Sequence, residues 1–138
     1  MVEDNADVRS VAIALLNELG HRTVEADSAT SALIKLDCGT QVDLVFSDIV
    51  LPGSIDGVSL AQEIAVRHPR ISILLTTGYA RRVDAEVKHP VLRKPYDIIA
   101  LDGAVREALK THKLMIEQGR VLRTQMTAAS GGEPRIRW

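Results

Sequence analysis

Residues 43–48 read Asp43-Leu44-Val45-Phe46-Ser47-Asp48, a short apolar run bounded by carboxylates. Apolar side chains on successive positions, not alternate ones, describe a strand covered on both faces. Such strands belong to parallel sheets packed between helices. Ile71-Ser72-Ile73-Leu74-Leu75 is a second run of this kind and ends at Thr76-Thr77-Gly78. A shorter one, Val91-Leu92-Arg93, ends at Lys94-Pro95, and Thr23-Val24-Glu25-Ala26 reads as a fourth strand.

Helical periodicity fills the intervals. Val8, Val11, Ala12, Leu15 and Leu19 share one face, and Gly20 stands where a helix can end in a left-handed residue. Ser28 is placed to cap a second helix carrying Ala29, Ala32, Leu33 and Leu36, which stops before Gly39. After a loop punctuated by Pro52, Gly53 and Asp56-Gly57, the residues Val58, Ala61, Ile64, Ala65 and His68 mark a third face closed by Pro69. Residues 81–89 are polar and weakly helical. Asp97 can cap a last helix bearing Ile98, Leu101, Val105, Ala108 and Leu109. The alternation predicts an α/β fold, a doubly wound parallel sheet with helices on both faces. In such folds function gathers at the carboxyl ends of the strands.

Composition bounds the function. The 138 residues are 46% hydrophobic and 25% charged, enough for one domain with a sizeable core. A net charge of −1 and four scattered aromatic residues argue against nucleic-acid binding. The single cysteine, Cys38, excludes an intrachain disulfide, and the four histidines lack metal-ligand spacing. No apolar run approaches a membrane span, and the acidic N-terminus is no signal peptide, so a cytoplasmic domain is expected. The expected division is a domain over residues 1–110 and a C-terminal extension over 111–138, helical and then disordered. The extension carries a net charge of +3 against −4 for the remainder.

Four features fall at strand ends or at the chain start: Glu3-Asp4, Asp48, Thr77 and Lys94. A parallel sheet would bring all of them to one edge. Three carboxylates there repel one another unless a cation intervenes, and a hard, oxygen-ligated Mg²⁺ suits the place. A carboxylate beside such an ion, a hydroxyl and an ammonium fits nucleophilic attack on a phosphoryl group. Its product would be an aspartyl phosphate.

Five motifs in this order carry a resemblance: Val2-Glu3-Asp4-Asn5, Asp43 to Pro52, Asp56-Gly57, Leu75-Thr76-Thr77-Gly78-Tyr79-Ala80, and Arg93-Lys94-Pro95. The chain resembles the receiver domain of two-component response regulators from residue 2 to about 110. The Thr76 to Ala80 segment also looks like receivers attached to hybrid sensor kinases. The resemblance implies a flavodoxin-like, five-stranded sheet of order 2-1-3-4-5. It implies Asp48 as phosphoacceptor, Asp4 as direct Mg²⁺ ligand, Glu3 as a ligand through water, and the Val50 carbonyl as a third metal contact. Thr77 would be the switch hydroxyl and Lys94 the partner of Asp48 or its phosphoryl group. Thr76 is a rival for the role of Thr77. A cis peptide before Pro95 is implied as well. Implied partners are a sensor histidine kinase or histidine phosphotransfer domain and a downstream protein, with no nucleic acid or membrane and homodimerisation left open. The domain would not be an enzyme beyond its own phosphorylation and dephosphorylation.

Three departures stand out. Only Met1 and Val2 precede Glu3, so the first strand is truncated, its neighbours should lose ladder partners, and a start lying upstream is expected. Val91 stands where the family places an aromatic switch residue, a role that Tyr79 or Tyr96 would have to fill. The interval from Thr77 to Lys94 is short for the family's fourth helix. The truncated first strand motivates an alternative, a pseudo-receiver that binds proteins without being phosphorylated. A third class, a phosphohydrolase with an aspartyl nucleophile, lacks its second Asp, because that position is Val50.

Overall fold

The two long apolar runs pair side by side. β1 (Leu44–Asp48) and β2 (Ser72–Thr77) lie parallel, with Phe46 opposite Leu74 and Asp48 opposite Thr76. β3 (Val91–Arg93) joins parallel to β2, with Leu75 opposite Val91. This computed structural model describes residues 1–78 and 87–129, with only the helix backbone described over 120–129.

Strand alternation splits the core in two. Val45, Ile73 and Leu75 pack with α2 (Ala29–Asp37) and α3 (Gly57–Arg67) on one face. Phe46 and Leu74 pack with Leu16 of α1 (Ala6–Glu18) and with Leu101, Val105 and Ala108 of α4 (Ile98–Ala129) on the other. The fold is thus the expected parallel α/β sheet with helices on both faces. Each helix starts at a capping side chain, which satisfies amide groups the helix cannot. Asn5 Oδ1 accepts from the amides of Asp7 and Val8 at 3.0 Å each, and Ser28 Oγ accepts from Ser31 at 3.0 Å. Asp56 accepts from Ser59 at 2.8 Å and Asp97 from Ala100 at 2.7 Å. Gly20, just past α1, has φ 91°, the left-handed backbone its position called for.

The sheet departs from expectation at its other edge. Residues 23–26 form no strand, and among the described residues the sheet has three strands, not five. Ala26 bridges Val2, and Val2 bridges Ser47, both in parallel. The sequence Ala26, Val2, β1, β2, β3 therefore keeps the 2-1-3-4-5 order, with its first two places reduced to single bridges. Further back along the segment before Glu3, the Met1 amino group donates to the Val24 carbonyl at 2.9 Å. The expected loss of ladder partners is only partial. The Val2 amide donates to the Phe46 carbonyl at 2.8 Å, and the Val2 carbonyl accepts from Asp48 at 3.0 Å. Glu3 donates to Ala26 at 3.1 Å, and Ala26 to Met1 at 3.0 Å.

Two helix faces are rotated from their predicted positions. On α1, Ala12 and Leu16 are buried, whereas Val11 is 63% exposed. On α3 the buried stripe is Gly57, Leu60, Ala61 and Ile64, with Ala65 outside. A stripe shifted by one residue has the same period, so periodicity alone does not choose between them. His68 closes α3 instead of packing on its face, with Nε2 3.0 Å from Asp37 Oδ1. α4 spans 32 residues, passes residue 110 without a break, and donates from His112 Nε2 to the Pro69 carbonyl at 2.9 Å. Expectations for Tyr79, most of 81–89, and the chain from Ser130 to Trp138 fall outside the described residues. Among the described residues, no helix is long and apolar enough to cross a membrane.

Gly57 fixes how closely α3 approaches the end of β1. A Cβ there would lie 2.1 Å from the Asp48 carbonyl oxygen, a contact no side chain tolerates, and that neighbour is backbone. Gly57→Ala should therefore cost about 2 kcal/mol or more, read as a lower urea midpoint with an unchanged slope.

Candidate functional site

Each strand delivers one group to the same edge. Asp48 ends β1 and is 8% exposed. Its Oδ1 accepts from the Val50 amide at 3.1 Å, and its Oδ2 accepts from Lys94 Nζ at 2.8 Å. Lys94 follows β3, and its amide donates to the Thr77 carbonyl at 2.8 Å, which pins it to the end of β2. The Lys94–Pro95 bond is cis, as the resemblance implied. Lys94 Nζ also lies 3.3 Å from Glu3 Oε2. Glu3 is 3% exposed; its Oε1 accepts from the Asn5 amide at 3.2 Å, and its carbonyl accepts from Arg9 Nη1 at 2.8 Å.

The electrostatics follow from one ammonium serving two carboxylates. Burial, and then the adjacent Asp48 carboxyl, push the Glu3 pKa up to about 7. Burial works against the Lys94 ammonium, but Asp48 and Glu3 outweigh it and hold its pKa above the usual lysine value. Tyr96, two residues on, packs its ring 5.8 Å from that of Phe46. Its phenol is raised by burial and by Glu3 and Asp48, against the pull of Lys94.

The predicted residues do not all converge equally. Glu3, Asp48 and Lys94 form one hydrogen-bonded group, and Val50 joins it through its amide. Asp4 is exposed beside it. Thr77 is fully buried at the end of β2, and among the described residues its hydroxyl has no hydrogen-bond partner. Thr76 shares both properties. Val91 is half-buried against the α2–α3 side of the core. Arg9 and the close approach at Gly57 escaped the sequence reading. Arg9 follows Glu3 by less than two helical turns, but nothing in the pattern says that it reaches back to a backbone carbonyl. Among the described residues, no three His, Cys, Asp or Glu side chains converge into a ready-made metal cage.

A buried carboxylate at a strand end, paired with a lysine and an acidic neighbour, on a doubly wound sheet, defines a class of signalling domain. The chain belongs to the response regulator receiver domain family, whose model matches residues 1–106. Sensor kinase CckA of Brucella abortus (strain 2308) is 35% identical over 116 residues, covering 80% of this chain and 12% of that protein. The C4-dicarboxylate transport transcriptional regulatory protein DctD of Rhizobium meliloti (strain 1021) is 30% identical, covering 99% of this chain and 30% of that protein. The chain thus spans less than a third of either relative. Among solved structures, a response regulator receiver domain protein from Clostridium thermocellum superimposes with a TM-score of 0.72 at 25% identity. That match covers 83% of this chain and 94% of the other. The similarity to a sensor kinase agrees with the reading of Thr76 to Ala80.

The raised Glu3 pKa sets a pH dependence. The folded state binds this proton more tightly than the unfolded chain does. The associated stability is complete below the ordinary carboxylate pKa of 4.5 and is lost as pH rises through about 7. In EDTA, stability should fall by on the order of 1–3 kcal/mol between pH 5 and pH 8. Glu3→Gln should flatten that slope, as followed by urea unfolding at each pH.

Proposed function

We propose that this domain accepts a phosphoryl group on Asp48 from the phosphohistidine of a sensor histidine kinase or histidine phosphotransfer domain, with Mg²⁺, and signals through protein contacts. The observation that carries the reading is the Asp48 carboxylate itself. It sits at a strand end with one oxygen on Lys94 and the other on a backbone amide, beside a second buried carboxylate.

The donor set suits a hard cation. Every candidate ligand is an oxygen: the Glu3, Asp4 and Asp48 carboxylates and the Val50 carbonyl. Burial, and then the Asp48 carboxyl, raise the pKa of Glu3, and a cation beside these two carboxylates would offset both effects. Mg²⁺ needs only one or two carboxylates because it keeps several waters, so the lack of a closed cage is no obstacle. Bound there, it would neutralise charge on the transferring phosphoryl oxygens. The protein's own groups do the rest. Val50 and Lys94 orient the Asp48 carboxylate, an Asp48 oxygen forms the bond to phosphorus, and the phosphorus–nitrogen bond to the histidine breaks. The Lys94 ammonium then faces the added charge, and the buried, unpartnered Thr77 hydroxyl is free to turn toward a phosphoryl oxygen. Residues 1–110 are assigned this role, and α4 runs on past them to Ala129 into the C-terminal extension.

A second reading, a protein-binding module without phosphorylation, draws support from the reduced sheet edge and from Val91. The two readings part in one experiment. Incubation with acetyl phosphate and Mg²⁺ should add a single phosphoryl mass to the intact protein. EDTA or Asp48→Asn should abolish that adduct. A folded, unmodified protein would favour the binding module, and an adduct that survives Asp48→Asn would remove Asp48 from its role.

A further inference from the structure

Asp4 is an exposed residue between buried Glu3 and Asn5, the cap of α1. The peptide groups on both sides of it are tethered. After Asp4, the Asn5 amide donates to Glu3 Oε1 at 3.2 Å. Before it, the Glu3 carbonyl accepts from Arg9 Nη1 at 2.8 Å. The two tethers differ in what they depend on. The first uses a carboxylate that is itself a candidate cation ligand, so a bound cation competes for it. The second involves no candidate carboxylate and persists whatever Glu3 binds. Arg9 is itself held in place: its side chain is 18% exposed, and its Nε lies 3.1 Å from Glu25 Oε1. Ala26, next along the chain from Glu25, accepts from the Glu3 amide at 3.1 Å. The Glu3 backbone is thereby fixed at its amide and at its carbonyl. Charge alone would set a guanidinium against a neighbouring cation, and Glu25 offsets that charge.

We propose that Arg9 is a positioning residue for the cation site: by holding the Glu3 carbonyl it orients the Glu3–Asp4 peptide and so fixes where the Asp4 carboxylate stands. The inference rests on the reading of Glu3, Asp4 and Asp48 as that site. Mg²⁺ is exacting about the placement of its oxygen ligands. Groups that orient those ligands from behind govern affinity without touching the metal. Released from Arg9, an exposed aspartate samples more conformations, and binding must then order it at an entropic cost. The sign of the effect separates positioning from charge. Removing a nearby positive charge by itself tightens cation binding, whereas removing a tether weakens it.

The test measures the Mg²⁺ affinity of the full chain by isothermal titration calorimetry, with Tm in EDTA as the check on folding. Arg9→Met keeps an apolar stem and removes both the donor and the charge. It should weaken Mg²⁺ binding about tenfold. Asp4→Asn locates the effect. In that background there is no carboxylate left to position, and adding Arg9→Met should cost less than about threefold. Affinity in Arg9→Met equal to or tighter than in the parent, or an equal loss in both backgrounds, would overturn the proposal and leave Arg9 a structural contact of α1. Should Arg9→Met fail to fold, Arg9→Gln carries the same comparison. A parent that binds no Mg²⁺, or whose binding is unchanged by Asp48→Asn, overturns the cation site and this inference with it. That outcome is told apart from a parent that binds and an Arg9 variant that binds equally well.

Discussion

One ammonium between two buried carboxylates organises this molecule. Lys94 Nζ reaches Asp48 at 2.8 Å and Glu3 at 3.3 Å, and so joins the ends of β1 and β3 to the segment that enters the sheet beside β1. Burial first, and then the neighbouring Asp48 carboxyl, raise the Glu3 pKa to about 7 in spite of that ammonium. The lysine ties together two carboxylates that are remote from one another along the chain.

Backbone bonding explains how a shortened sheet edge still supports such a site. Among the described residues Val2 alone bridges both Ala26 and Ser47, and its amide and carbonyl both pair with β1, at Phe46 and Asp48. Both bonds to β1 lie close to Asp48, and towards residues 23–26 Met1 and Glu3 bond to Val24 and Ala26. Close packing completes the arrangement from the other side, where the absent side chain of Gly57 lets α3 start against the Asp48 carbonyl.

Much of this was legible in the residues. The apolar runs over 44–48, 72–77 and 91–93 became the three strands, and Ser28 and Asp97 became caps, because those signals are local. The expected fourth strand is reduced to the Ala26 bridge with Val2, although the Met1 amino group also bonds to Val24. The faces of α1 and α3 were misjudged by about a residue, since only packing against the sheet selects among equally periodic stripes. Arg9 was missed because its contact is with a carbonyl, which leaves no mark in a side-chain pattern.

The order of residues by itself determined the class of fold and the candidate site: carboxylate, hydroxyl and lysine each close a strand, and parallel strands bring their ends to one edge. Only the tertiary structure decided how those groups are shared. It paired Lys94 with both Glu3 and Asp48, left Asp4 exposed, and set Thr76 and Thr77 on opposite faces of β2. Register, distance and burial govern these outcomes, and they depend on neighbours that are remote along the chain.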